Sequence, residues 1–144
     1  AQRYFDQVDI AVMAAAVADF TPETSATGKI KREADDLILR LRPTVDIAAT
    51  LGAQKKDKQV LVGFALETDN EVENARGKLK RKNLDLIVLN SLNDAGAGFG
   101  HDTNKISIVD SSGALTSFGL KSKAEVAKDI VAAIQDKIFE KRSH

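Results

Sequence analysis

Apolar residues crowd into three short runs, Val8 to Ala15, Gln59 to Leu66 and Leu84 to Leu89. The runs are too short for helices and predict strands; Gln59 to Leu66 is near-continuous, the mark of a strand covered on both faces, and Leu84 to Leu89 reads as a second buried strand. Elsewhere the apolar spacing shifts to three and four. Val72, Ala75 and Leu79 predict a helix opened by Asp69 or Asn70 and ending near Asn83. Val126, Ile130, Ile134 and Ile138 form one stripe of a final helix over Ala124 to Phe139. After Pro43, Thr44 or Asp46 caps a short helix to about Lys55, with Ile47, Ala48 and Leu51 on one face. Two stretches read as hairpins. In the first, Leu37, Leu39 and Leu41 alternate with Ile38, Arg40 and Arg42 and pair with Lys29 to Arg32 across Glu33-Ala34-Asp35-Asp36. In the second, Ile106 to Val109 pairs with Leu115 to Phe118 across Ser111-Ser112-Gly113. Strands alternating with helices predict one α/β domain over residues 1–144.

The polar stretch Thr21 to Gly28, bounded by Pro22 and Gly28, is the one break in this pattern and reads as a lid. Ala1 to Phe5 reads as the tail of a helix entering the first strand, with no initiator Met, so the expectation is a fragment whose first βα segment lies upstream.

Composition narrows the function classes. The 144 residues suit a domain that buries about two-thirds of its unfolded surface. The 21 basic residues balance 21 acidic ones, so no global field attracts nucleic acid or an anionic membrane, and any pull on phosphate is local. The absence of Cys excludes disulfides, thiolate metal sites and a Cys nucleophile. No run spans a bilayer or resembles a signal peptide, and the expectation is a cytoplasmic protein.

The candidate chemistry lies where apolar strands end in small residues and lysines follow, a layout that brings phosphate against open backbone. Met13, Ala14 and Ala15 end the first strand and leave room for a nucleotide, or are plain core. Asp19 offers a carboxylate to an amine or a hydroxyl, or caps a turn. Lys29 follows the polar loop and reads as a phosphate contact or a solvated lysine; Lys31 shares its face in an extended strand, and Arg32 points away. Lys78 and Lys82 sit four apart on the predicted helix, where like charges repel unless an anion bridges them. The bland alternative is a solvated helix face. Phe64, beside Gly63 at a strand end, is core or packs against a base or ribose. Gly96, Gly98 and Gly100 precede a strand rather than a helix, so they lack the helix N-terminus that a dinucleotide fingerprint needs. His101 and His144 form no cluster for a transition metal.

Together, Ala14-Ala15-Ala16-Val17-Ala18-Asp19-Phe20-Thr21-Pro22, Lys29-Ile30-Lys31-Arg32, Val45-Asp46-Ile47, Val62-Gly63-Phe64-Ala65-Leu66-Glu67-Thr68 and Ala75-Arg76-Gly77-Lys78-Leu79-Lys80-Arg81-Lys82-Asn83-Leu84-Asp85 resemble the bacterial phosphopantothenate–cysteine ligase family. The resemblance runs in order from about Val8 to the last helix. This chain departs from the family at Leu66, where Ala is usual, at Thr44-Val45 in place of Asn-Pro, and in lacking the family's opening strand and Gly-Gly-Thr loop.

The resemblance implies a Rossmann-like, mostly parallel sheet flanked by helices, with β-hairpin excursions. It implies ligation in two steps: 4'-phosphopantothenate is activated by CTP, with Mg2+ as counterion, to an acyl-cytidylate, and cysteine then displaces CMP. By resemblance, Lys29 is the lysine that stabilises the transferring phosphoryl group. Met13, Ala14, Ala15, Asp19, Ala48, Ala49, Thr50, Leu51, Phe64, Lys78 and Lys82 fall on nucleotide-binding positions. The family's habit implies a homodimer, and the two late strands read as edges for pairing with a second copy. Two other readings stay open: a non-catalytic nucleotide-binding or dimer-forming fragment, and a nicotinamide-dependent oxidoreductase, which lacks its glycine turn here.

Overall fold

The computed structural model describes residues 1–32, 36–67, 69–91 and 101–143. A 3-10 helix at Gln2–Gln7 leads into β1 (Ile10–Met13), followed by β2 (Phe20–Pro22), β3 (Leu41–Pro43), α1 (Ile47–Gln54), β4 (Val60–Glu67), α2 (Glu71–Arg81) and β5 (Leu86–Ser91). Then come β6 (Thr103–Asn104), β7 (Ile106–Asp110), β8 (Leu115–Ser117), β9 (Lys121–Ser122) and α3 (Lys123–Arg142). The chain forms two compact units, Ala1–Ala14 with Ile47–His144, and Ala15–Asp46.

The larger unit is built on a five-stranded sheet of order β1-β4-β5-β7-β8. β1, β4 and β5 run parallel, β7 is antiparallel to β5, and β8 is antiparallel to β7. β4 and β5 are the continuous apolar runs of the sequence, and both of their faces are covered. Leu61 and Ala65 point to one face, where they pack with Phe5, Leu51, Ala75 and Leu79 of the 3-10 helix, α1 and α2. Val60 and Val62 point to the other, against Val126, Ile130 and Ile134 of α3. That division is the period of two expected of a strand. Each fully buried Leu, Val or Ile side chain in these layers stabilises the fold by about 1.5–3 kcal/mol relative to exposure.

Local chemistry sets the element ends. Ser122 caps α3: its Oγ accepts from Glu125 N–H, and the Glu125 carboxylate accepts from Ser122 N–H, a reciprocal box. The Ser122 hydroxyl also donates to the Glu125 carboxylate at 2.6 Å, and this bond, with the one from Ser122 N–H, holds the Glu125 carboxyl below its usual value. Gly113, at φ 88°, turns β7 into β8. α1 lies so close to the α2–β5 turn that a Cβ on Gly52 would meet the Lys82 carbonyl oxygen at 1.9 Å, and Asn83 Nδ2 donates to the Gly52 carbonyl at 2.8 Å.

Several expectations change. The first strand is Ile10–Met13, shorter than Val8 to Ala15, because the Val8 carbonyl accepts from Gln59 Nε2 instead of a ladder partner. β7 is interior, so of the two late strands only β8 forms an edge.

In the smaller unit the hairpin pairs other segments than those expected. β2 pairs antiparallel with β3, with Phe20 opposite Pro43 and Pro22 opposite Leu41. Glu23 N donates to the Arg40 carbonyl and Thr44 N to the Asp19 carbonyl, each at 2.9 Å, extending the ribbon. Residues 29–32 and 36–40 form no strand, and Glu33-Ala34-Asp35 lie outside the described residues. The alternation of Leu37, Leu39 and Leu41 was a misleading signal, since it has no face to bury: these residues are 64%, 59% and 56% exposed. Without that strand, the shared face expected of Lys29 and Lys31 has no basis. The glycines at 96, 98 and 100, Thr68 and His144 also lie outside the described residues.

Candidate functional site

The three parallel strands end in a step. Met13 is the last residue of β1 and pairs with Gly63, whereas β4 and β5 run four residues further, to the Glu67–Ser91 pair. α1 packs beside this step. Lys55, just past its end, reaches Asp85 before β5, so α1 runs antiparallel to β4 and its first residues lie toward the strands' carboxyl ends. In α/β sheets that end is where ligands bind.

Met13, half-buried, and Ile47 and Leu51 of α1 pack in one cluster on the α1–α2 face. Ala48, Ala49 and Thr50 are half-buried along α1, whereas Leu51 is 0% exposed and serves as core. Ala14 is exposed at the end of β1. Phe64 lies on the opposite face, half-buried against the α3 cluster. Ala15, Asp19 and Lys29 belong to the smaller unit and are exposed there. Lys82 N–H donates to the Lys78 carbonyl at 2.9 Å, so the helical register reaches Lys82, at the end of α2 beside the start of β5. The Lys78 ammonium is engaged with the chain's own Glu67 carboxylate, at 2.5 Å.

Two constellations escaped the sequence reading. Glu67 occupies the inward position of β4 after Leu61, Gly63 and Ala65, and it receives both Lys78 and Asn74 of α2. A charged residue continuing a buried face was the available signal. At the other end of the sheet, Asp85, 3% exposed, accepts from Leu61 N–H at 2.7 Å and Lys55 Nζ at 2.9 Å, with Lys141 Nζ at 2.7 Å from its second oxygen. Burial lowers Lys55 below the usual lysine value, while the Asp85 carboxylate pulls the other way. Gln59 completes the cluster, donating to the Phe5 and Val8 carbonyls at 2.7 and 2.8 Å. Because it sits at the strands' amino ends, this network joins elements and is placed for structure, not for ligand.

Three surface grooves lie elsewhere: one of about 370 Å³ between α3 and the β7–β8 hairpin, one of about 400 Å³ between α2 and the β7–β8 turn, and one of about 420 Å³ beside Asp6 and Lys56. None is lined by an expected site residue. Among the described residues no group of three or more His, Cys, Asp or Glu is placed to hold a metal. No helix among them is long and apolar enough to cross a membrane.

Comparison with known proteins follows the same layout. A solved C-terminal domain of the coenzyme A biosynthesis bifunctional protein CoaBC superposes with TM-score 0.76 at 32% identity, over 96% of this chain and 59% of that one. The CoaBC protein of Bacillus subtilis (strain 168) is 45% identical over 130 residues, 90% of this chain and 32% of that protein. A protein of an unknown prokaryotic organism, named cysteine/cysteine sulfinic acid decarboxylase, is 62% identical over 130 residues, 90% of this chain and 36% of that protein. The chain thus spans about a third of the length of these curated relatives. A model of the DNA/pantothenate metabolism flavoprotein C-terminal domain matches residues 1–138. On that match, together with the shared sheet and the ordered motifs, the chain belongs to the DNA/pantothenate metabolism flavoprotein C-terminal domain family.

Proposed function

We propose that this chain works as the phosphopantothenate–cysteine ligase part of a coenzyme A biosynthesis protein, using CTP. The observation that carries the reading is the family match over residues 1–138, which embraces every motif quoted above. The carboxylate of 4'-phosphopantothenate attacks the α-phosphorus of CTP and releases pyrophosphate; the amine of cysteine then attacks the acyl carbon and releases CMP. Charge on the phosphoryl group rises in the first step, so fixed cations and backbone N–H groups do the work rather than a general base.

In this reading Lys29 is the catalytic lysine and neutralises the triphosphate. Met13, Ala14 and Ala15 give backbone access, Asp19 accepts from the base or ribose, and Ala48, Ala49 and Thr50 border the nucleotide, with Leu51 supporting them from the core. The resemblance also assigns Phe64, Lys78 and Lys82 to the nucleotide, with Phe64 on the α3 face of the sheet and Lys82 at the far end of α2 from Glu67. Mg2+ enters as a counterion on the triphosphate, since the described residues offer no cage of their own. A homodimer in the cytoplasm completes the proposal. β8 is an edge strand with three exposed residues, which leaves it open to pairing.

The 62% relative's name favours a second reading, in which the chain serves a decarboxylase acting on cysteine or cysteine sulfinate. Incubating the protein with 4'-phosphopantothenate, CTP, Mg2+ and cysteine separates the two. The ligase reading expects CMP and pyrophosphate in equal amounts, with CMP release dependent on cysteine. Carbon dioxide from cysteine or its sulfinate, without nucleotide turnover, would overturn it.

A further inference from the structure

Glu67 closes β4 on the face that α2 covers, and both its carboxylate oxygens are taken by that helix. Lys78 Nζ donates to Oε1 at 2.5 Å and Asn74 Nδ2 to Oε2 at 3.3 Å. The two donors are four residues apart, so one helical turn sets both over the same carboxylate. Asn74 is itself fixed, with Nδ2 2.9 Å from the Asp69 carbonyl. The Glu67 side chain is 13% exposed and that of Lys78 is 35% exposed. A sheltered carboxylate therefore matches the lysine's charge, while the ammonium keeps two further N–H donors on a more open flank.

A lysine held in this way suits some ligand atoms better than others. A phosphate brought to Lys78 would lie beside the Glu67 carboxylate, and the repulsion between them is least screened where water is excluded. An uncharged carbonyl, ring nitrogen or hydroxyl meets no such repulsion. We propose that Glu67 is a positioning residue that aims Lys78 at an uncharged acceptor on the sugar or base of the bound nucleotide, leaving the phosphates to other lysines. The inference rests on the nucleotide reading above and deepens it: Lys78 recognises the nucleoside, and Glu67 fixes where its donors point.

The test is calorimetric titration of the chain with CMP and with CTP, each with Mg2+, for the unaltered protein, Lys78→Met and Glu67→Gln. Lys78→Met is expected to weaken CMP and CTP by the same factor, about tenfold for one charge-assisted hydrogen bond. Glu67→Gln should weaken both by a smaller common factor while melting near the unaltered temperature, and the salt dependence of CTP binding should not change in either variant. A loss for Lys78→Met that grows from CMP to CTP, or a Glu67→Gln variant that binds CTP as well as or better than the unaltered chain, would overturn the inference alone. Failure of the unaltered chain to bind either nucleotide would overturn the nucleotide reading and this inference with it.

Discussion

Asp85 shows how much one side chain can hold together. Its two oxygens receive a strand amide and two lysines, one from the end of α1 and one from the end of α3. The side chain is 5% exposed and those of Lys55 and Lys141 are 8% and 18% exposed, so removing the carboxylate strands two sheltered ammonium groups. Breaking a buried pair from one side costs about 3–5 kcal/mol, far above the contribution of an exposed pair. Asp85→Asn is therefore expected to lower the unfolding free energy by about that amount in urea denaturation followed by circular dichroism. A loss below about 1 kcal/mol would mean that the lysines find water or another partner. In the sequence Asp85 was merely the end of a quoted motif, because nothing local tells that Lys55 and Lys141, 30 and 56 positions away, converge on it.

At the scale of elements, the β7–β8 turn is built around Asp110. Its Oδ1 accepts from Ser112 N–H at 2.8 Å, Ser112 O–H at 2.6 Å and Ala114 N–H at 3.0 Å. Partial burial pushes the carboxyl up, but the Ser112 and Ala114 bonds outweigh it, and the group titrates below its ordinary value. A depressed carboxyl adds stability that is complete above the unfolded value and is lost as pH falls through the folded one. Asp110→Asn keeps an acceptor but removes the charge. The variant is expected to melt a few degrees lower at neutral pH and to converge with the unaltered protein in strong acid. A melting difference that persists unchanged into strong acid would contradict this.

The elements themselves were legible to different degrees. β4, β5, α2 and α3 declared themselves, because continuous apolar runs and a three-four stripe each have a single way to bury their faces. The β2–β3 ribbon did not: Leu37, Leu39 and Leu41 alternate as a strand would, but the pairing was decided by backbone partners at Asp19 and Glu23. Of the candidate site, the end of β1, α1 and Lys78 were found on one face of the sheet, whereas Glu67 passed unnoticed because its role depends on α2 folding over it.

At the scale of the whole molecule, the two hydrophobic clusters draw their buried members from the larger unit and, among the described residues, none from 15–46. The core that stabilises the fold thus lies in the larger unit. Of the residues proposed to meet the nucleotide, Met13, those of α1, Phe64 and Lys78 belong to the larger unit, and Asp19 and Lys29 to the smaller. Exposed lysines away from a core contribute little to stability, so a substitution at Lys29 reports on function with little interference from folding.

The proposed chemistry rests on a nucleoside triphosphate bound by this chain and neutralised by Lys29. Titrating the unaltered chain and Lys29→Ala with CTP and with ATP, each with Mg2+, in a calorimeter tests this most directly. CTP is expected to bind the unaltered chain and to bind Lys29→Ala at least about tenfold more weakly, with an unchanged melting temperature. Equal CTP binding by the two proteins, or none by the unaltered chain, would contradict it.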